Sequence, residues 1–107
     1  MPDRPTREYA RMTDLEIAGR PVAITSAELC WIQHWRGEEP AQLEWEVAGR
    51  TREAGVRDGA REVTLIFPDR RLRGRGVITS SAGPGLTVFE IVGLGPLVEV
   101  AGQPPRS

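Results

Sequence analysis

Apolar side chains alternate with polar ones along most of this sequence, and this period of two is the feature that most constrains its fold. The alternation is clearest from Leu43 to Val47 and from Val63 to Phe67, where every second residue is apolar. A β-strand points successive side chains to opposite faces, so such segments are typical of strands that bury one face. Glycine and proline turns separate the segments, and no stretch has a convincing helical period longer than two turns.

About seven such segments predict an all-β, mainly antiparallel fold: a small β-sandwich or barrel of about six to seven strands. The 107 residues are enough for one core. We predict a flexible N-terminal arm over residues 1–13, a single β domain over residues 14–101 and a C-terminal tail over residues 102–107. A brief helix from Thr6 to Met12 is the alternative for the arm. Residues 49–61 contain three glycines and only three apolar residues, which predicts an exposed loop or a projecting hairpin.

The inward positions of the alternating segments predict the hydrophobic core. Side chains two residues apart, such as Val63 and Leu65, belong to one face of a strand and are expected to pack together. The stretch from Leu86 to Gly93 is apolar at nearly every position, which is typical of a strand covered on both faces. The predicted core residues are Leu29, Trp31, Leu43, Trp45, Val63, Leu65, Phe67, Leu86, Val88, Phe89 and Ile91.

The balance of charges argues against partners that need a strong electrostatic field. The 14 basic residues, all arginine, stand against 15 acidic residues, for a formal net charge of −1. Nucleic acid or an anionic membrane would need a local basic patch. No apolar run reaches the roughly eighteen residues that a membrane span needs. We therefore predict a protein of the producing cell's cytoplasm with no membrane partner, and the charge balance disfavours nucleic acid as a partner.

Few side chains suit acid–base or nucleophilic catalysis. Cys30 is the only cysteine and His34 the only histidine, and their spacing places them on one face of a strand. Their Cα atoms would be roughly 13 Å apart, too far for the direct hydrogen bond that a catalytic pair requires. We interpret Cys30 as a core thiol and His34 as a strand-end or surface group. The prediction is that the protein is not an enzyme and has no catalytic residue, metal site or cofactor.

Two charged stripes with the period of a strand are the strongest candidates for binding. Arg71, Arg73 and Arg75 share one face of their segment. An acidic stripe of Gln42, Glu44 and Glu46 has the same spacing. The stripes could pair across strands, pair between neighbouring copies, or, on the basic side, bind a phosphorylated ligand or nucleic acid. Trp35 is the tryptophan expected to reach the surface, and it joins the charged residues as an interface candidate.

The segment from Val63 to Leu97 resembles the closing half of phage tail-tube and related tail-like proteins. The residues that carry the resemblance are Gly74 and Gly76, the turn from Ser80 to Gly85, and then Phe89, Gly93, Gly95 and Leu97. The resemblance implies a β-sandwich or barrel that assembles into a ring, with arms and a long loop contacting adjacent subunits. It also implies a virion or phage-like particle as the final location, with the chain itself and other structural proteins as partners.

A second set of residues resembles PilZ-like domains, six-stranded barrels that bind cyclic di-GMP. Arg57 and Arg61 have the family's R-x-x-x-R spacing, and Ser80 and Gly83 follow as its S-x-x-G. Ile78 stands where that family has an aspartate or asparagine. The hypothesis is therefore a non-enzymatic structural or assembly subunit. A cyclic di-GMP regulator and a small protein-interaction adaptor are the alternatives.

Overall fold

The computed structural model describes residues 4–53 and 56–100, and every regular element in these two ranges is a β-strand. The alternation noted above explains this, because the longer strands from β4 to β8 each have a buried and an exposed side. The strands are β1 Thr6–Arg11, β2 Asp14–Ile17, β3 Arg20–Val22, β4 Ile24–Arg36, β5 Glu39–Thr51, β6 Gly59–Ile66, β7 Arg71–Gly83, β8 Leu86–Gly93 and β9 Val98–Glu99.

The described strands form one antiparallel sheet of nine strands in the order β1-β4-β5-β8-β7-β6-β2-β3, with β9 paired to β7. The sheet is not closed into a barrel. Between β1 and β2 the chain passes from one half of the sheet to the other, since the amide N of Met12 donates to the Ala27 oxygen (3.0 Å) and that of Thr13 to the Ile66 oxygen (2.8 Å). The all-β antiparallel prediction is confirmed, as one curled sheet with more strands than the predicted six to seven.

The sheet has two faces, and one of them carries the core. We call the core side the inner face and the opposite side the outer face. The core consists of side chains that point inward from β2 and from β4 to β8, together with Met12 and Phe67. Its buried members are Met12, Leu15, Ala27, Leu29, Trp45, Val47, Val63, Leu65, Phe67, Leu72, Ile78, Phe89 and Ile91.

Two residues predicted for the core are exposed instead. Leu43 points to the inner face, but β8 pairs with β5 only from Glu46 onward, so Leu43 lies on a part of β5 that extends past the body of the sheet and is 53% exposed. Val88 points to the outer face of β8 and is 47% exposed. Trp31 and Leu86 are half-buried, and the remaining predicted core residues are buried as expected.

The N-terminal part differs from the prediction. Thr6–Arg11 is neither a helix nor a free arm, because it pairs as β1 along β4 from Gln33 to Glu28. Met12, which follows it, is buried in the core. Residues 1–3 and the predicted tail at 102–107 lie outside the described ranges.

The predicted loop at 49–61 is shorter than expected, because β5 continues to Thr51 and β6 begins at Gly59. Gly49 is buried against the ring of Phe89, which occupies the space of a side chain there. Thr51 is buried as well, and its hydroxyl donates to the backbone oxygen of Ala23. The composition of this segment predicted a loop. Composition alone does not show that Gly49 packs against Phe89 or that the Thr51 hydroxyl bonds to Ala23.

Candidate interaction face

The three predicted arginines all belong to β7 and point to the outer face. Their neighbours along the strand, among them Leu72 and Ile78, are buried on the inner face. Arg73 and Arg75 are exposed, and Arg71 is half-buried. The basic stripe is therefore a real surface feature of the fold.

The acidic stripe lies on the outer face of β5, where Gln42, Glu44 and Glu46 are all exposed. Glu44 has neighbours of its own. Its Oε1 lies 2.9 Å from Nε2 of His34, and its Oε2 accepts a hydrogen bond from the side-chain amide of Gln42 at 3.1 Å. These contacts fix the orientation of the Glu44 carboxylate, and they leave the acidic character of the stripe in place.

The two stripes do not pair within the sheet, because β8 and the segment that follows it lie along β7 between them: Leu94 is beside Arg75 and Val98 is opposite Arg73. The register places Glu46 opposite Val92, and Val92 opposite Val77. Adjacent strands are about 4.8 Å apart, so the stripes are separated by about 10 Å. No ion pair joins them in the part of the chain that the structure describes. Pairing across strands, one of the alternatives, is therefore wrong.

Exposed apolar side chains occupy the space between the stripes. Val88 and Val92 point outward from β8 and are 47% and 53% exposed. Leu94 follows β8 beside Arg75, to whose oxygen its amide donates at 2.9 Å, and Val98 lies opposite Arg73; they are 55% and 61% exposed. We call these four residues the apolar band. For Val88 and Val92 the sequence signal was present, since Leu86–Gly93 is typical of a strand covered on both faces, but no described residue of the chain covers the outer face.

Trp35 lies apart from the charged stripes. It is half-buried on the inner side of β4, near the end of the β4–β5 hairpin, and its indole Nε1 donates to the Thr6 hydroxyl at 3.0 Å. Together with Trp31 and Leu43 it lines a shallow pocket of about 480 Å³. The six interface candidates therefore fall on two surfaces, and only Trp35 is separated from the rest.

Cys30 and His34 do not form a pair. Cys30 is buried on the outer side of β4 opposite Tyr9, whereas His34 contacts Glu44. The pKa of Tyr9 is raised above its ordinary value, chiefly by the negative charge that Cys30 acquires on ionisation and by the hydrogen bond between the two side chains. Among residues 4–53 and 56–100, no group of three or more histidine, cysteine or acidic side chains is arranged to hold a metal ion.

The residues of the PilZ-like pattern are only partly brought together. Arg57 and Arg61 line one open pocket. The Ser80 hydroxyl instead donates to the Asp58 carboxylate at 2.7 Å, and Gly83 lies at the exposed end of β7 opposite Leu86. Neither Ser80 nor Gly83 lines the pocket that contains the two arginines. The spacing in sequence therefore does not become a single constellation in space.

Comparisons with known proteins gave no match to a family model, to a curated protein or to a solved structure. The described ranges contain no helix that is long and apolar enough to cross a membrane. The candidate site therefore rests on the geometry of the outer face itself.

Proposed function

We propose that this chain is a non-enzymatic assembly subunit that binds a second copy of itself through the outer face of β5, β8 and β7. The observation that carries the proposal is the apolar band, which stands uncovered between an acidic and a basic stripe. Isolated exposed apolar residues are ordinary on protein surfaces. Here Val92, Leu94 and Val98 lie between the two stripes, and Val88 lies farther along β8, beyond the exposed Glu90. Neighbouring exposed apolar residues bordered by opposite charges are typical of an interaction surface.

The order of the stripes favours one arrangement of the two copies. A two-fold axis parallel to β8 turns the second sheet over and sets its β5 against the first copy's β7. Val92, Leu94 and Val98 of the two copies then meet near the centre, and Glu44 and Glu46 of each copy face Arg73 and Arg75 of the other. The outward Glu90 of β8 comes next to its own copy, which is the one like-charge contact of this arrangement along β8. An axis perpendicular to the strands would set β7 against β7 and bring like charges together. The strands of the two sheets would be nearly aligned, as in a β-sandwich.

Burial of the apolar band would supply most of the affinity, and the charges would supply the orientation. Apolar surface contributes about 25 cal/mol per Å² removed from water, which makes valine and leucine side chains the main stabilising contacts. Exposed ion pairs contribute only about 0 to 1 kcal/mol each, but wrongly oriented pairs are repulsive. The same division between apolar centre and charged border occurs in protein–protein interfaces generally.

The resemblance of Val63 to Leu97 to tail-tube proteins suggests a phage tail or phage-like particle as the setting for this assembly. The antiparallel β architecture is compatible with that setting. The cyclic di-GMP alternative has less support, because Ile78 replaces the acidic or amide residue and Gly83 lies at the exposed end of β7. Ser80 donates to Val56 and Asp58, on either side of Arg57, but does not line the pocket of the two arginines. A small protein-interaction adaptor would use the same outer face, with another protein in place of the second copy.

The test is the mass in solution as a function of protein concentration, measured by light scattering. We expect the native chain to form a dimer or a higher even-numbered species, and Val92→Glu to shift it to the monomer. Leu43→Glu is the matched control, because Leu43 is equally exposed (53%) but points to the inner face. A native chain that stays monomeric at high concentration, or equal loss of association in both variants, would overturn the proposal.

A further inference from the structure

A second surface, separate from the outer face, is a groove of about 480 Å³ on the inner side of the β4–β5 hairpin. Its floor follows β4, where Trp31, Gln33 and Trp35 point to the same side and are all half-buried. One wall is β1 and the other is β5, because β4 pairs with both strands. The wall residues are Thr6, Glu8, Pro40 and Leu43. We call this surface the aromatic groove.

The groove runs along a strand, and its two tryptophans mark its length. Trp31 and Trp35 are four residues apart, which corresponds to about 13 Å along β4. Gln33 lies between them, and its side-chain amide donates to the backbone oxygens of His34 at 2.9 Å and Gln42 at 3.1 Å. The floor is therefore continuous from one indole ring to the other. Its length matches about four residues of a polyproline II helix, which rises about 3.1 Å per residue.

The polar groups of the floor have partners within the chain. Trp35 Nε1 donates to the Thr6 hydroxyl at 3.0 Å, and the Gln33 amide donates to the backbone of the hairpin. These bonds hold both side chains in position before a ligand arrives, which reduces the entropy lost on binding. They also engage the donors that a hydroxyl-rich ligand, such as a sugar, would need. The floor therefore suits a rigid, apolar ligand better than a sugar.

One charged side chain, Glu8 on the β1 wall, lines the groove. Glu8 is exposed and lies opposite Trp31 in the register of β1 with β4. It forms no ion pair within the described ranges. A guanidinium group at this end of the groove would pair with the carboxylate and stack on an indole ring. Charge complementarity therefore favours a ligand that carries an arginine at one end.

We propose that the aromatic groove binds a proline-rich segment of another protein, with an arginine next to the prolines. Proline-rich segments adopt the polyproline II conformation and dock into grooves lined by aromatic residues. The proline rings pack on Trp35, Pro40 and Leu43, and the arginine pairs with Glu8 beside Trp31. The site does not depend on self-association, because it shares no residue with the apolar band or the charged stripes.

The test is the fluorescence anisotropy of a labelled peptide of four prolines followed by an arginine, titrated with the full chain. We expect saturable binding that weakens when alanines replace the prolines or when glutamine replaces the arginine. Trp35→Ala should weaken binding by about tenfold or more, because it removes one of the two aromatic contacts. Glu8→Gln should weaken it by about threefold, as for an exposed ion pair, and should not change binding of the glutamine peptide.

Two variants on the outer face are the matched controls. Glu46→Gln removes an exposed carboxylate that lies outside the groove, and Val92→Glu is the variant expected to be monomeric. Both should bind the peptide as the native chain does, so failure of the groove and failure of the assembly proposal are distinguishable. Thermal unfolding of each variant without peptide checks that the fold is retained.

Several results would overturn the proposal. These are no binding at millimolar concentration, equal binding of the proline and alanine peptides, and equal affinities in Glu8→Gln and Glu46→Gln. Binding of a neutral glucose oligosaccharide in place of the peptide would make the groove a carbohydrate site.

The chain itself contains two prolines followed by an arginine, Pro104 to Arg106. If Arg106→Ser tightens binding of the peptide, the chain's own segment competes for the groove, and the assignment to another protein is wrong. An unchanged affinity in Arg106→Ser supports that assignment.

Discussion

The indole ring of Trp45 fills the space that a side chain at Gly93 would need. A Cβ atom built at Gly93 would lie 2.5 Å from Cε2 and Nε1 of Trp45, and Gly76 and Gly74 border the same ring. Trp45 Nε1 in turn donates to the backbone oxygen of Gly95 at 2.7 Å. The glycines that carry the resemblance to tail-tube proteins therefore have a packing role here, as the floor beneath one buried tryptophan.

Substitution Gly93→Ala should therefore destabilise the fold. The added methyl group would contact a buried ring that has no free space to move into, and overpacking of this kind costs about 1 to 3 kcal/mol. Gly83→Ala is the control, since its Cβ would meet only the Leu86 oxygen at an ordinary 3.5 Å. Urea denaturation measures both free energies of unfolding. Equal values for the two variants would contradict the packing role.

Leu29 and Leu43 should respond oppositely to the same truncation, although the alternation predicted both as core residues. Leu29 is fully buried, so Leu29→Ala removes core contacts and is expected to cost about 2 to 5 kcal/mol. Leu43 is 53% exposed, so Leu43→Ala should change the free energy of unfolding by no more than about 0.5 kcal/mol. Denaturant midpoints at equal slope provide the comparison. A large loss at Leu43 would mean that the inner side of the hairpin is covered in solution.

Reversal of the basic stripe should weaken self-association. Replacing Arg71, Arg73 and Arg75 by glutamate sets acidic groups against the acidic stripe of the second copy, with a loss of about tenfold or more in dimer affinity. Reversal of Glu44 and Glu46 to arginine in the same chain should restore part of it. Sedimentation at low and high salt measures the effect, which should shrink as salt screens the charges.

The outcome of that experiment also separates the alternatives for the stripe. A reversed variant that assembles normally but no longer binds a phosphorylated ligand would make the basic stripe a ligand site. In that case the self-association proposal would rest on the apolar band alone.

Tyr9 should ionise at lower pH once Cys30 is removed. The ionised thiolate and its hydrogen bond raise the pKa of Tyr9, so Cys30→Ala is expected to bring the midpoint back toward the ordinary value. Arg7 acts in the opposite direction by lowering the pKa of Tyr9, so Arg7→Gln should raise the midpoint. Because Tyr9 is the only tyrosine, the ultraviolet absorbance of the phenolate reports it directly. An unchanged midpoint in Cys30→Ala would refute the contact.

Much of the fold could be predicted from the sequence, because the direction in which each side chain of a strand points depends only on the local backbone. Alternate residues of β7 point to opposite faces because of backbone geometry alone. The sequence therefore predicted that Arg73 and Arg75 lie on one face and Leu72 and Ile78 on the other, and the structure confirms this. The same holds for the buried positions of β6. The charged residues of the candidate face were identified for the same reason.

Other features depend on which strands become neighbours, and local patterns do not encode this. Thr6–Arg11 looked like an arm because its alternation is weak, and its place in the sheet comes from pairing with β4. Arg20 lines one pocket with Arg57 and Arg61 because the β2–β3 turn packs beside a loop more than thirty residues away, and no local pattern predicts this.

The sequence by itself determined the all-β class, the inward or outward facing of most side chains and the two charged stripes. The tertiary structure decided that β8 and the segment after it separate those stripes, that Val88 and Leu43 are exposed and that Arg20, Arg57 and Arg61 share one pocket. The physical reason is that the period of a strand is set by covalent geometry within a few residues. Burial and proximity depend on contacts between segments far apart in the chain, which exist only once the sheet has formed.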